Sequence, residues 1–275
     1  MTASRLFDLL IALLYLTGSV SYPLGLVLRR PILKKAAVWT SVAAFALHTV
    51  DLGVRFVEIG AASLQHGQFY MSLLAWFVVL IFFILWRRLK HDFLAMITAP
   101  LALVLFSSSL AVRTQVLAVP EHFSALWFSL HVGTIFVSLG LITMAFGAGV
   151  AYLHLEKIIK TKAKMPGFSK DLPSLETFDR ANHWAVSVGF PLYTISVMSG
   201  FLWASFTWKK IISWDPKELI TIVIWIIFAV LFHQRTALGW RGRKPARTAI
   251  VLFALCLVSL VGVNFLLPTH HSFRP

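Results

Sequence analysis

Eight apolar runs, each about 20 residues or longer, are separated by short polar connectors, and that alternation constrains this chain more than any motif in it. The runs are Leu6–Leu28, Ala37–Ile59, Phe69–Trp86, Phe93–Val112, Phe123–Tyr152, His183–Trp208, Glu218–Leu238 and Thr248–Leu267. At ~1.5 Å of rise per residue, each is long enough to cross a hydrocarbon layer ~30 Å thick. With 58% hydrophobic residues, 13% charged residues and a mean hydropathy of +0.80, the chain is too apolar for a water-soluble domain. The expected fold is all-α: a polytopic membrane protein with eight transmembrane helices in a single integral membrane domain, residues 1–275.

The connectors alternate in charge. "RRPILKK", "RRLKH", "KIIKTKAK" continuing to Arg180, and "RGRKPAR" are basic, whereas the loops between them carry few Lys or Arg. The positive-inside rule then puts those four loops in the cytoplasm and both termini outside, as expected for the bacterial cytoplasmic (inner) membrane. The first run has the pair Arg29 and Arg30 after it and only the single Arg5 before it, a balance opposite to that of a secretory signal, so it is expected to be retained. The net charge of +14 thus reads as topology, not as a nucleic-acid partner; membrane lipid is the surrounding partner.

Two connectors stand out. The inner one, 156–182, contains "LPSLETFDRAN", where Ser174 fits an N-cap and Leu175 and Phe178 share a face, predicting an amphipathic helix on the cytoplasmic surface. The outer one, 203–217, reads "WASFTWKKIISWDPK" and gathers three tryptophans and three lysines on the side where lysines should be scarce. Within it Asp215-Pro216-Lys217-Glu218 is a helix start: Asp at N-cap, Pro at N1 and Glu at N3. Local physics accounts for that tetrapeptide without any ligand. Trp203, Trp208 and Trp214 are left over, either as an interfacial aromatic belt or as a surface on which a flat ligand stacks.

The sole cysteine, Cys256, lies in an apolar run, so disulfides, zinc clusters and thioether attachment of haem within this chain are excluded. Any cofactor needs other ligands. Among the ten histidines, His48, His131 and His233 fall inside the runs, His183 only opens one, and His270 and His271 follow the last. An imidazole at membrane depth costs a few kcal/mol, which makes it a functional candidate. The competing reading is an imidazole satisfied by a hydroxyl, carbonyl or carboxylate on a neighbouring helix. Facing pairs, His48 with His233 in the membrane and His131 with His271 or His270 outside, would suit the two axial positions of haem b iron. Arg55 lies seven residues beyond His48, where it either pairs with Asp51 at i, i+4 or meets a haem propionate. No single run carries two histidines spaced for stacked haems, which argues against a transmembrane electron carrier.

Taken together, "GFLWASFTWKKIISWDPKELITIVIWIIFAVLFHQR" resembles the tryptophan-rich WWD signature of the haem-handling cytochrome c assembly family, which includes CcsA-type, CcmC-type and HemX proteins. Further matches run from "LPSLETFD" and "GFPLYT" to "GWRGRKPA" and "NFLLPTHHSF". The resemblance is strongest from about Leu172 onward. It implies outer ligands at His131 and His271, with His270 as the substitute, and an inner pair at His48 and His233. Trp203, Trp208, Trp214 and Asp215 would then belong to the haem-facing loop. Where CcsA-like members resemble "WGxYWxWDPKE", this chain has Lys209, Ile211 and Ile212 at the glycine, tyrosine and second tryptophan, an aromatically poorer loop closer to the HemX type.

The expected function is non-covalent binding and transmembrane relay of b-type haem by paired histidines in cytochrome c biogenesis, with an apocytochrome assembly partner. It is not expected to be an enzyme; axial ligand exchange suffices. The alternatives are a HemX-type regulator of haem synthesis acting on glutamyl-tRNA reductase, and a membrane haem oxidoreductase, for which no cofactor motif is present.

Overall fold

The computed structural model of the chain describes residues 3–60, 63, 66–89, 95–111, 125–162, 172–207, 209 and 214–263. Among these residues the regular elements are eight α-helices: α1 (Ala3–Val27), α2 (Pro31–Ile59), α3 (Gly67–Leu89), α4 (Ala95–Ala111), α5 (Ala125–Lys160), α6 (Leu175–Thr207), α7 (Pro216–Thr236) and α8 (Arg243–Leu257), the last continuing into a π-helical turn, Val258–Val263. Six of them, α1, α2, α3, α5, α6 and α7, are long and apolar enough to cross a membrane. The 17 residues of α4 and the 15 of α8 fall short of that length. The chain is an all-helical, multi-pass membrane protein.

Helix α1 shows why this architecture belongs in lipid. Leu6, Leu9, Leu13, Leu16, Val20 and Leu24 are exposed at three- and four-residue spacing, forming one apolar outer stripe. The opposite stripe, Asp8, Ile11, Tyr15 and Tyr22, is buried. Lipid tails are as apolar as leucine, so the polar groups turn inward and the leucines outward.

The chain divides into two compact units, 1–118 with 157–174, and 119–156 with 175–275. In the first, α1 packs on α2 and α4, and α3 packs on α2 and α4. Polar bonds pin this bundle near one end: Arg55 of α2 donates to Asp51 one turn back (2.8 Å) and to Asp8 of α1 (2.9 Å). The same guanidinium reaches Ser4 Oγ at 3.2 Å. Two largely buried carboxylates thus share one cation, and the missing hydration is replaced by charge-assisted hydrogen bonds.

In the second unit, α6 packs on α7 and α8, and α5 is tied to α6 by side chain to backbone bonds. Ser138 Oγ donates to the Gly189 carbonyl (2.9 Å) and Asn182 Nδ2 to the Ala145 carbonyl (3.1 Å). Phe146 of α5 stacks on Phe253 of α8 with ring centroids 4.2 Å apart. At the other end of α7, Arg235 makes a clasp: Nη1 donates to Asp179 Oδ1 at 2.7 Å and to the Trp240 carbonyl at 3.0 Å, and Nη2 to the Asp179 carbonyl at 2.7 Å. Asp179 Oδ1 also accepts from the Gly242 amide at 2.7 Å. Gly242, at φ 77°, takes a turn that a β-carbon would resist.

The surface helix expected after Ser174 is the first part of α6. Helix α6 begins at Leu175 and runs unbroken through His183 to Thr207. No glycine or proline lies between Leu175 and Val188, and Phe178, Ala181, Asn182 and Ala185 are buried along one face, so nothing ends the helix at the polar-to-apolar boundary.

Candidate functional site

His131 lies near the start of α5, beside the C-terminal half of α6. Its Nδ1 is 2.7 Å from the backbone carbonyl oxygen of Ser196. A carbonyl has no proton to give, so Nδ1 must carry the hydrogen, and in the neutral ring Nε2 keeps its lone pair. The Ser196 hydroxyl lies 3.3 Å from Nδ1 and donates to the His131 carbonyl at 2.9 Å, so ring and backbone are both tied to one residue of α6. Among the described residues no hydrogen-bond partner reaches Nε2.

Gly200, one turn beyond Ser196, makes room for this ring. A β-carbon at position 200 would sit 2.7 Å from His131 Cε1 and 3.0 Å from Nδ1, inside van der Waals contact. Trp203 packs its indole edge-on to the imidazole, centroids 6.2 Å apart at 79°. The next helix starts nearby: Lys217, in the first turn of α7, is close enough for its charge to act on the His131 ring.

That start is built as the sequence predicts. Asp215 is the N-cap of α7, with Pro216 following, and its Oδ1 accepts from the Lys217 amide at 2.8 Å. Asp215 and Glu218 are both buried. Trp214, immediately before the cap, has φ 61° and is 74% exposed, so its indole projects away from the packed helices. His131 and Trp203 therefore meet, and the Asp215–Lys217 cap opens α7 in the same unit. Trp208, His270 and His271 lie outside the described residues.

His48 has a different setting. It is wholly buried in the first unit, with Nδ1 3.0 Å from the Tyr15 hydroxyl and Nε2 2.7 Å from the Ser72 hydroxyl. Phe106 meets the ring edge-on at 5.0 Å. Each hydroxyl can donate or accept, so the tautomer is open; in either one, the lone-pair nitrogen already accepts a hydrogen bond from a hydroxyl. The Arg55 guanidinium is held by Asp8 and Asp51, the ion-pair alternative of the sequence reading extended by an acid from α1. His233, on the last turn of α7, is exposed and belongs to the other unit.

Sequence reasoning did not find Tyr15, Ser72, Asp8, Ser196 or Gly200. For Asp8 a signal existed: an acid in the first third of an apolar run needs a cation, and Arg55 is the one cation of the neighbouring run. The hydroxyls carry no such signal, because serine is cheap in any membrane helix.

A protein-family model described as cytochrome C assembly protein matches residues 67–271, most of the chain. The chain belongs to that family. Among its relatives, the cytochrome c biogenesis protein CcsA of Guillardia theta is 27% identical, the match covering 94% of this chain and 92% of that protein. The CcsA protein of Synechocystis sp. is also 27% identical, with 95% and 94% covered. A shorter match, 41% identical over 98 residues, joins 36% of this chain to 29% of CcsA from Gloeobacter violaceus. The family match includes the whole Trp203–Glu218 stretch as well as His131 and His233.

Proposed function

We propose that this protein binds b-type haem as cargo and relays it across the bacterial cytoplasmic membrane in cytochrome c biogenesis. Eight transmembrane segments with both termini outside would present the Trp-rich loop, in the manner of the WWD signature, to an apocytochrome partner. The observation that carries this reading is the state of His131: proton fixed on Nδ1 by a carbonyl, lone pair free on Nε2. That is the orientation a haem-iron ligand needs, since a metal-ligating imidazole is commonly held by its other nitrogen.

The donor set fits the group. Haem, when bound, supplies an iron with two axial positions for neutral imidazole. His131 Nε2 would hold the iron, with His271, or His270 in its place, as the second imidazole. Ser196 keeps the imidazole from rotating, and Gly200 leaves the ring its place against α6. Trp203 gives an aromatic edge beside the ligand, and in this reading the loop's other tryptophans, Trp208 and Trp214, would offer further aromatic surface to the haem. Lys217 supplies positive charge for a propionate, while Asp215 holds the start of α7, and with it that lysine, in position.

The inner pair, His48 with His233, fits less directly. To ligate iron, His48 would first have to release Ser72 or Tyr15. Arg55 acts there by holding the α1–α2 end together, not through a propionate. Lys209, Ile211 and Ile212 favour a second reading: their poorer aromatic loop suits a HemX-type regulator that buffers haem and alters glutamyl-tRNA reductase levels.

Two measurements test these readings. Purified wild-type protein should show a low-spin bis-histidine haem spectrum that is lost in H131A and H271A. A protein that takes up no haem when haem is plentiful sinks both readings. In a deletion strain, loss of c-type cytochromes supports assembly, whereas normal cytochromes with altered glutamyl-tRNA reductase support regulation.

A further inference from the structure

Well away from the α7 start, the opposite end of that helix carries a group of charges that the haem reading does not use. Arg241, Arg243, Lys244 and Arg247 lie within seven residues around the start of α8, and all four are exposed. The nearby acids are largely committed: Asp179 is taken by Arg235 and the Gly242 amide. Glu156 approaches Arg243 only to 3.8 Å. Arg241 and Arg247 have neither a hydrogen-bond nor an ion-pair partner among the described residues. The positive end of the α8 dipole adds to this charge and does not offset it.

The surroundings indicate which anion would settle here. Trp240 sits in the same turn, and the Lys244 ammonium lies 4.5 Å over its ring. An indole beside basic side chains at the end of an apolar helix is the composition of a membrane interface. Leu238, next to Arg241, is exposed, and so are Val223, Ile226 and Val230 on α7 and Val251 on α8, helices that pack against each other. A fixed cationic patch therefore continues into an exposed apolar track.

We propose that this end of α7 and α8 binds an anionic phospholipid, its phosphate held by Arg241, Arg243, Lys244 and Arg247 and its acyl chains lying along α7 and α8. Tryptophan at position 240 marks the depth of the headgroup, and the Arg235–Asp179 clasp fixes the turn that presents the cations. The chemistry is charge-assisted hydrogen bonding from arginine to phosphate, joined to the apolar contact that a free phosphate lacks.

The test uses the purified full chain in a neutral detergent, titrated with phosphatidylglycerol or phosphatidylcholine of the same acyl chains and read by native mass spectrometry. Wild type should retain phosphatidylglycerol at about tenfold lower lipid concentration than phosphatidylcholine. In R241Q/R247Q, which removes two side chains without a described partner, that preference should fall at least severalfold. R180Q, which removes a cation from an exposed pair with Glu176, should leave it unchanged. Equal retention of the two lipids by wild type overturns the proposal, as does an undiminished preference in R241Q/R247Q. Displacement of the lipid by millimolar inorganic phosphate also overturns it, because the patch would then be a free-anion site.

Discussion

His48 and His131 are both imidazoles within membrane helices, and from their flanking residues they look alike. They differ in what holds them. His131 gives its Nδ1 proton to a backbone carbonyl and is left with a lone pair to offer, whereas His48 has a hydroxyl on each nitrogen. The first arrangement prepares a ligand; the second satisfies a buried polar group. In the proposed function, what would make an intramembrane histidine a metal ligand is the partner of its other nitrogen and not its depth.

The largest effect that probes this contrast lies around His48. Arg55→Leu leaves Asp8 and Asp51 as buried carboxylates without their cation, and should cost about 3–5 kcal/mol, read as a fall in the thermal midpoint of the purified protein. A near-neutral result would mean that the clasp does not hold the His48 region together. At His131 the corresponding test is Gly200→Ala, whose new methyl displaces the ring. Haem affinity should fall about tenfold or more while the fold persists, with Gly200→Leu worse still. If haem affinity at the outer site is unchanged, the close approach at Gly200 is not what orients the ligand.

A smaller effect is expected from Ser72→Ala. It removes one of the hydroxyls on His48, costing about 1 kcal/mol of stability, and should raise haem uptake at the inner site because a lone pair is released. Uptake that falls would show the hydroxyl helping the ligand, erasing the difference between the two histidines. Smallest is the cap. Asp215→Ala should lower stability by about 1 kcal/mol and Asp215→Asn by much less, since asparagine also accepts from the Lys217 amide. Equal losses in both variants would mean that the carboxylate charge matters beyond the cap.

Much of the scaffold could be read from local sequence. Six of the eight apolar runs form helices long and apolar enough to cross a membrane, and "WDPKE" foretold the start of α7 down to the accepting Asp215 side chain, because capping depends on residues within one turn. The Asp51–Arg55 pair was legible for the same reason. The state of the histidines was not. Tyr15 is 33 residues from His48 and Ser72 is 24 away, while Ser196 is 65 residues from His131. No periodicity links such positions, and the decisive group at Ser196 is a backbone carbonyl that every residue type possesses. The continuity of α6 was missed for the opposite reason: a change from polar to apolar composition looks like a boundary, yet the backbone needs a breaker to stop.

The central claim is that His131 Nε2 is a free, pre-oriented iron ligand. It is tested most directly in His131→Gly, where the side chain is removed and imidazole can be supplied from solution. Wild type and His48→Ala should both show the low-spin spectrum of the outer haem, His131→Gly should lack it, and millimolar imidazole should restore it. An outer haem spectrum that persists unchanged in His131→Gly without imidazole would contradict the account.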